Sequence, residues 1–579
     1  MNEKPNSSVA TSPTARLLQS IPGLQVLGSY NRKDLGPDLL SGLVICLVLI
    51  PSALAYAELA GSGPVGGIYT AIAATVVYFL FSSSRHMNVG PDGGVALLAG
   101  VAIVPLVGGD PAKAMIAGAW LAVFTGAILI AAGKLRLGVV ANFLSTPVLL
   151  GYLNGAALVI IVSQWGKLFG IDLKQDKFIL RLAEWVQKLP ETHVATLITG
   201  IVVIVLLVLC KRLIPKLPPL VPVFFIALVG GILINFDGMG VSVIGEIRDI
   251  TPKGVGLTLN LNNISRLAIG AMGLAMLIFP EGVLLARGMA EKQDYQIDPN
   301  RELVALGAAN MASGALLGFS VGGSQTRTLL NSATGGKTQL ANLASAVFLI
   351  AFLVLAAELV VKLPKVAIAA ILVFAGYGMI DVAGIREMLG RDRQSGWIAL
   401  ATAGSVVFIG VLPGILIGTG FSIGLLLSQL ARPHDALLGR KPGSDELHDM
   451  GDDELAEGIP GLVVYRFYGQ VFFANVGTFI ERLQHFIDLE KHPVEQVLID
   501  AGAIPSLDLT AVEKLRPFFE KLQAQGIELA VAKAHRPLRE SKIGFELEVL
   551  FPEEENFETV ADAVVAYEGR MKTDGSGQS

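Results

Sequence analysis

The sequence predicts an α-helical polytopic membrane protein of fourteen segments, joined to a soluble α/β domain. Three observations predict it. Of 579 residues, 52% are hydrophobic and only 16% charged, where a soluble protein carries about 25% charged residues. The charges are sparse between about Leu39 and Leu430 and dense after Arg432, which implies two solvents and so two regions. Apolar runs of the length a bilayer demands, about 20 residues in a helix, recur through the first region. In the second, strand-like runs alternate with helix-like ones.

Twelve runs read as spans: 39–57, 66–82, 114–132, 147–165, 195–210, 220–236, 267–286, 303–318, 340–360, 366–380, 397–412 and 414–430. Two shorter segments, the Gly-rich 91–107 and the polar 324–334, read as half-helices and complete the fourteen. An even number places both tails on one side of the membrane. With the tails inside, the inner turns carry Arg85; Lys134 and Arg136; Lys211, Arg212 and Lys216; Arg287, Lys292 and Arg301; and Arg386, Arg391 and Arg393, as the positive-inside rule requires. The outer loop 166–194 mixes both charge signs, but long loops count for little in that rule. Residues 1–35 contain no apolar signal core and read as a cytoplasmic region with a short amphipathic entry segment. The membrane region is 36–432.

After it, 433–458 reads as an acidic linker, 459–572 as one α/β domain and 573–579 as a disordered tail. Within the domain, 461–474 looks like paired strands. A helix (476–489), a buried strand (494–502), an amphipathic helix ended by Gly526 (509–526), another strand (527–534) and a final helix (557–570) follow.

The net charge of -5 gives no sign of a nucleic-acid partner, and the two cysteines, Cys46 and Cys210, lie in apolar runs with no metal spacing or disulfide framework. No metal or cofactor is expected. The phosphate loop GxxxxGK[ST] and any nucleophile–base pattern are missing, which argues against an ATP-driven pump or an enzyme.

The chemistry gathers where the membrane region interrupts itself. One interruption is Gly90-Pro91-Asp92-Gly93-Gly94, the other Gly322-Gly323-Ser324-Gln325-Thr326. Proline ends a preceding helix and suits a first helical turn, and glycine lets backbone approach a substrate closely. Two such helix starts, each with free N–H groups and about half a positive charge, can hold an anion between them. Glycine also serves close helix packing, but two interrupted segments in corresponding places of two halves favour a binding site.

Five further positions carry charge or polarity. Arg327 follows the second interruption, and an arginine inside a membrane is costly enough to imply function. It is expected to supply long-range positive potential rather than a bidentate clamp, which would release an anion slowly; pairing with Glu281 is the structural alternative. Glu281 itself lies in the eighth span and is a candidate proton carrier. Leu285, one helical turn on, adds no oxygen ligand of the kind a sodium ion needs, which favours protons over sodium. Asp92 stands where an anion-accepting helix begins; it either caps that helix or is a second coupling carboxylate. Ser52 and Tyr56, four residues apart, share a helix face.

Several stretches together carry a resemblance: IPSALAYAELAGSGPVGGIYTA (50–71), SRHMNVGPDG (84–93), FPEGVLLARGMAEKQDYQIDPNRELVALGAANMASG (279–314), GFSVGGSQTRTLLNSATGGKTQ (318–339) and IPSLDLTAVEKL (504–515). From about Ile21 to Glu568 the chain resembles the sulfate permease (SulP) family of anion transporters, and its C-terminal domain resembles a STAS domain. The resemblance implies two inverted repeats of seven segments, arranged as core and gate domains, with an anion between half-helices 3 and 10. It implies a homodimer in a plasma membrane. It maps Ser52 and Tyr56 onto the cavity lining, Arg327 beside the anion and Glu281 onto coupling; with Gly93, Gly94, Gln325 and Thr326 at the two helix starts, Ser52, Tyr56 and Arg327 make the expected substrate site. Ser52 departs from the glutamine many members have. In STAS domains of anti-sigma antagonists a phosphorylated serine follows an aspartate. Here Asp508 and Thr510 remain but Leu509 stands between them, so a helix cap is expected in place of a phosphorylation switch.

The expected function is secondary active transport of a small anion, sulfate or a similar oxyanion, by elevator-type alternating access, with protons as the coupling ion. Bicarbonate and dicarboxylates fit the same two helix ends. An uncoupled channel, or a signalling membrane protein with STAS output, is the alternative from another class. A nucleobase permease is a third, against which the STAS domain and Arg327 count.

Overall fold

The computed structural model describes residues 21–108, 110–138, 145–175, 177–215, 217–244, 261–443, 446–535 and 553–575. Most of the expected N-terminal region and the last four residues of the expected tail lie outside these. The chain divides into two compact units between Ser422 and Ile423.

Fourteen helices carry the apolar runs, the last of them crossing the boundary of the first unit. They are α1 (Leu35–Leu59), α2 (Pro64–Phe81), α3 (Gly93–Val107), α4 (Pro111–Lys134), α5 (Thr146–Ser163), α6 (Val194–Leu213) and α7 (Leu220–Leu233), then α8 (Leu261–Lys292), α9 (Pro299–Ala315), α10 (Gln325–Ala333), α11 (Leu340–Val360), α12 (Lys365–Met379), α13 (Arg393–Phe408) and α14 (Val411–Ala431). Two-residue strands precede the half-helices: β1 (Val89–Gly90) before α3 and β2 (Gly322–Gly323) before α10. Among the described residues, seven helices are long and apolar enough to cross a membrane by themselves. Helix α8 overruns its apolar stretch at both ends; at the C-terminal end Met289, Ala290, Glu291 and Lys292 are good helix formers in water too. The loop 166–194 holds an amphipathic helix of its own, Phe178–Lys188.

The packing repeats with a shift of seven helices. Helix α1 packs on α11 as α8 packs on α4, α2 on α11 as α9 on α4, and α5 on α13 as α12 on α6. This exchange is what two inverted repeats of seven produce. Helices α1–α4 and α8–α11 form one packed group; α5–α7 and α12–α14 form the other.

In the first group α4 and α9 cross in backbone contact. A Cβ on Gly126 would lie 2.5 Å from the Gly307 carbonyl oxygen, and one on Gly307 would lie 2.6 Å from that of Gly126. Seven residues further along each helix, Gly133 and Gly314 repeat the arrangement, 2.6 Å from the Asn300 oxygen and 2.5 Å from the Ala119 oxygen. Between apolar helices in lipid, such backbone contact replaces the hydrophobic drive. At the start of α9, Glu302 is fully buried. It accepts from the Ser83 N–H at 2.7 Å, the Ser83 hydroxyl at 2.6 Å, the Ser84 N–H at 2.7 Å and the Tyr78 hydroxyl. One carboxylate thus satisfies the end of α2 and the loop that leads to β1.

The second unit is a six-stranded sheet in the order β4-β3-β5-β6-β7-β8. Its strands are β3 (Asp435–Arg440), β4 (Leu447–Asp449), β5 (Leu462–Phe467), β6 (Gln496–Asp500), β7 (Glu528–Ala532) and β8 (Asn556–Phe557), with helices α15 (Val476–Leu489), α16 (Leu509–Ala524) and α17 (Val560–Gly575). Strands β5 to β8 run parallel, and β3 is antiparallel to both β4 and β5. Alternate residues of β5 serve opposite faces: Val463, Tyr465 and Phe467 pack against α15 and α16, Leu462 and Val464 against α17.

Three expectations are corrected here. The stretch 433–458, read as an acidic linker, supplies β3 and β4. The paired strands expected over 461–474 reduce to β5 alone. Both edges of β5 are already taken, by β3 and β6, so a returning strand has no hydrogen-bonding edge to join. Residues 573–575 close α17 rather than opening a disordered tail. Gly526 does end α16, at φ 82.

Gly126→Ala and Gly307→Ala are each expected to destabilise the full-length protein by about 1–3 kcal/mol through overpacking. Gly404→Ala, where a Cβ meets nothing within 4 Å, is expected to leave stability unchanged or slightly raised. Thermal unfolding in detergent measures the contrast.

Candidate anion-binding site

The two interruptions come together as a crossing of two short strands. β1 and β2 pair antiparallel, Val89 opposite Gly323 and Gly90 opposite Gly322. The Ser324 N–H extends the pairing to the Asn88 carbonyl at 2.9 Å. A break in a spanning helix exposes backbone groups that lipid cannot satisfy; here each broken helix satisfies the other. The fit favours glycine: a Cβ on Gly322 would lie 3.0 Å from Val95, and one on Gly323 3.1 Å from the Met87 sulfur.

Buried amides hold both strands in place. Asn310 clasps Val321, donating to its carbonyl and accepting from its N–H, both at 3.0 Å. Ser313 donates to the Phe319 carbonyl at 2.6 Å, and the Phe319 N–H donates to Thr70 at 3.1 Å. On the other strand, Gln339 and Asn342 each donate to the Met87 carbonyl at 2.9 Å.

From this crossing the two half-helices start. Helix α3 begins at Gly93, with Asp92 as its cap: the carboxylate accepts from the Gly94 N–H at 3.2 Å. Pro91 thus stands just ahead of the cap rather than in the first turn. Helix α10 begins at Gln325 with Ser324 as its cap residue, and the Ser324 side chain makes no capping bond. Gln325 and Thr326 are exposed, and Arg327 behind them is only 2% exposed.

Arg327 is braced by an amide. Its Nε donates to the Asn88 side-chain oxygen at 2.6 Å, and Asn88 in turn donates to Asn342 at 2.8 Å. Nη2 is buried and makes no hydrogen bond; a Cβ on Gly90 would lie 3.4 Å from it. Among the described residues no ion pair joins Arg327 to Glu281, so one guanidinium nitrogen points along the 90–94 segment without a partner.

Tyr56 and Tyr152 flank the first turn of α3. A Cβ on Gly93 would lie 3.3 Å from the Tyr56 ring, and one on Gly94 would fall on the Tyr152 hydroxyl. Tyr56 is within electrostatic reach of Asp92 and Arg327, and Tyr152 of Asp92 and Glu281. Glu281 follows Pro280 inside α8, where proline leaves a helix carbonyl without its donor, and its neighbour Gly282 packs against Gly323. Ser52, one turn before Tyr56, is 6% exposed and donates to the Val48 carbonyl of its own helix at 2.8 Å.

Tyr56, Asp92, Gly93, Gly94, Glu281 and Arg327 therefore share one neighbourhood, with Gln325 and Thr326 at the head of the second half-helix. Sequence reasoning passed over Asn88 and Tyr152. Asn88 was the one amide in the SRHMNVGPDG stretch, and Tyr152 lies in a polar patch, Gly-Tyr-Leu-Asn-Gly, within an otherwise apolar span. Asp508 and Thr510 lie elsewhere, in the second unit. The Asp508 carboxylate caps α16 through the Ala511 N–H at 2.7 Å and also accepts from the Phe473 N–H at 2.9 Å, so both of its oxygens are engaged in structure.

Chemically, the neighbourhood offers two helix N-termini and one buried guanidinium to a negative charge. It sets against them two carboxylates, Asp92 and Glu281.

Comparison with known proteins agrees with this architecture. Residues 35–402 match the Sulfate permease family and residues 455–563 the STAS domain. A probable sulfate transporter of Mycobacterium tuberculosis is 34% identical over 96% of this chain and 100% of its own length. Human solute carrier family 26 member 6 is 31% identical over 81% of this chain and 65% of its own length. Among solved structures, the murine solute carrier 26 family member A9 anion transporter in the inward-facing state superposes with a TM-score of 0.87 at 21% identity, over 98% of this chain and 97% of that one. The transmembrane domain of a cyanobacterium bicarbonate transporter, BicA, superposes with a TM-score of 0.59 at 21% identity, over 67% of this chain and 98% of its own. With its inverted seven-helix repeats, crossed half-helices and C-terminal α/β unit, the chain belongs to the sulfate permease family and carries a STAS domain.

Proposed function

We propose that this protein is a secondary active carrier that moves a small oxyanion, sulfate first, together with protons, by elevator-type alternating access. The observation that carries the reading is the β1–β2 crossing, which starts two half-helices from one point beside the buried, unpaired Nη2 of Arg327. The names of the similar sulfate transporters weight sulfate among the oxyanions.

Charge balance favours proton coupling. With both carboxylates ionised, Asp92 and Glu281 outweigh Arg327 by one negative charge, and the Asp92 carboxylate already occupies the Gly94 N–H. An entering anion meets repulsion and a competitor for the same donors. A proton on either carboxylate removes the excess, so anion and proton are best loaded together. Glu281 is the carrier of that proton, and Asp92 either shares the role or serves only as the cap. The two packed helix groups suit the motion: α1–α4 with α8–α11 carry the site, and α5–α7 with α12–α14 form the frame against which it moves. The even number of segments and the positively charged inner turns support the reading that both termini, and the STAS domain, lie in the cytoplasm; with it goes the reading of the protein as a homodimer in a plasma membrane. The STAS domain is a regulatory and assembly module.

Sealed proteoliposomes with radiolabelled sulfate, bicarbonate, nitrate and succinate at two pH values test the reading. Saturable uptake driven by an inward proton gradient is expected; a current proportional to voltage with no saturation would make the protein a channel. With one proton coupled, each pH unit of gradient raises anion accumulation by up to about tenfold. Glu281→Gln is expected to abolish that dependence while leaving anion exchange measurable, and a variant that keeps it removes Glu281 from the coupling role. Arg327→Lys keeps the charge but has no Nε for Asn88. Its KM for the transported anion is expected to rise about tenfold, measured in the same uptake assay.

A further inference from the structure

We propose that the Tyr152 hydroxyl is a substrate ligand supplied by the frame: a hydrogen-bond donor to the bound oxyanion that α5 presents opposite the N-terminus of α3. This deepens the carrier reading and rests on it.

Three observations carry it. Tyr152 is 1% exposed, and its hydroxyl makes no hydrogen bond. A buried hydroxyl without a partner costs free energy, which a structural tyrosine avoids and a phenylalanine would avoid altogether. Second, the hydroxyl is aimed. It lies where a Cβ of Gly94 would be, against the first turn of α3, while the Tyr56 ring lies against Gly93 in the same way. Two tyrosines from different helices thus frame two consecutive glycines at a helix N-terminus. Third, the charged groups within its electrostatic reach are Asp92 and Glu281, and it donates to neither. A phenol that feels two carboxylates and bonds to neither is available to a third acceptor.

The placement on α5 matters. Tyr56, Asp92, Glu281 and Arg327 all belong to the helix group of α1–α4 and α8–α11. Tyr152 alone comes from the other group, where α5 is fixed against α13: Gly155 would place a Cβ 2.8 Å from the Ala403 carbonyl oxygen and from Val406. When the two groups shift relative to each other, the hydroxyl stays with the frame. It therefore contacts the anion in one orientation and releases it in the other, which makes the contact specific to one end of the transport cycle.

The experiment uses the full-length protein in detergent, titrated with sulfate, bicarbonate, nitrate and succinate, with the anion-induced rise in unfolding temperature as the readout. The anion that binds the parent most tightly is then titrated against Tyr152→Phe. The expected result is binding weakened about tenfold or more, with the unfolding temperature in the absence of anion unchanged or higher. A variant that binds within twofold of the parent overturns the inference and leaves the carrier reading standing. A parent that binds none of the four anions overturns the carrier reading, and this inference with it. A second arm tests the geometry independently. Gly94→Ala is expected to lower the yield of folded protein, because its Cβ meets the Tyr152 hydroxyl, and adding Tyr152→Phe is expected to restore it. Failure of that rescue places the hydroxyl elsewhere and also overturns the proposal.

Discussion

Everything in the membrane unit is arranged around four paired residues, Val89 with Gly323 and Gly90 with Gly322. A helix that stops inside a bilayer leaves several N–H and C=O groups bare, and lipid offers them nothing. Two helices that stop at the same place can spend those groups on each other. The pairing works only if both backbones come close, which glycine at 322 and 323 favours. It also needs the flanking chain to be rigid, which Asn310, Ser313, Gln339 and Asn342 provide. Their buried amides and hydroxyls are the supports that let two irregular segments persist at this depth. The N–H groups left over, those of the first turns of α3 and α10, face the same region because their helices depart from one crossing.

The sequence makes some of this plain and hides the rest, for definable reasons. Span number and the two half-helices are legible because bilayer thickness fixes length, and because glycine, proline and serine inside an apolar stretch have few other uses. The capping role of Asp92 is legible because a carboxylate ahead of two glycines has a local partner to find. The brace on Arg327 is not, since Asn88 and Asn342 are 254 positions apart and nothing in either neighbourhood signals the other. Tyr152 is hidden for a different reason: an aromatic residue in a span reads as packing until its hydroxyl is found unpartnered. In the second unit, periodicity identified β5, β6 and β7 but misjudged what lies beside them. Strand pairing is a property of the whole sheet, so the acidic stretch after Pro433 became β3 and β4 once an edge of β5 stood open to it.

The STAS unit shows how a motif can persist in outline with altered content. Asp508 remains at the helix start, but its two oxygens serve Ala511 and Phe473. A phosphate added at Thr510 would sit beside a carboxylate already holding those N–H groups. Like charges at one helix start compete, so the local electrostatics favour a fixed cap.

The connection between α11 and α12 sets a mechanical bound. Helix α11 ends at Val360 and α12 begins at Lys365, and these two helices belong to different packed groups. Fully extended, the intervening chain reaches about 17 Å. The Ile244 N–H donates to the Leu363 carbonyl at 3.0 Å, and the Lys365 N–H to the Ser242 carbonyl at 2.9 Å, so the link is also pinned to the residues after α7. This tether is a leash: whatever force drives one group past the other, the ends of α11 and α12 can separate by no more than its length. Under the proposed alternating access, the number of residues between two helices therefore limits the stroke.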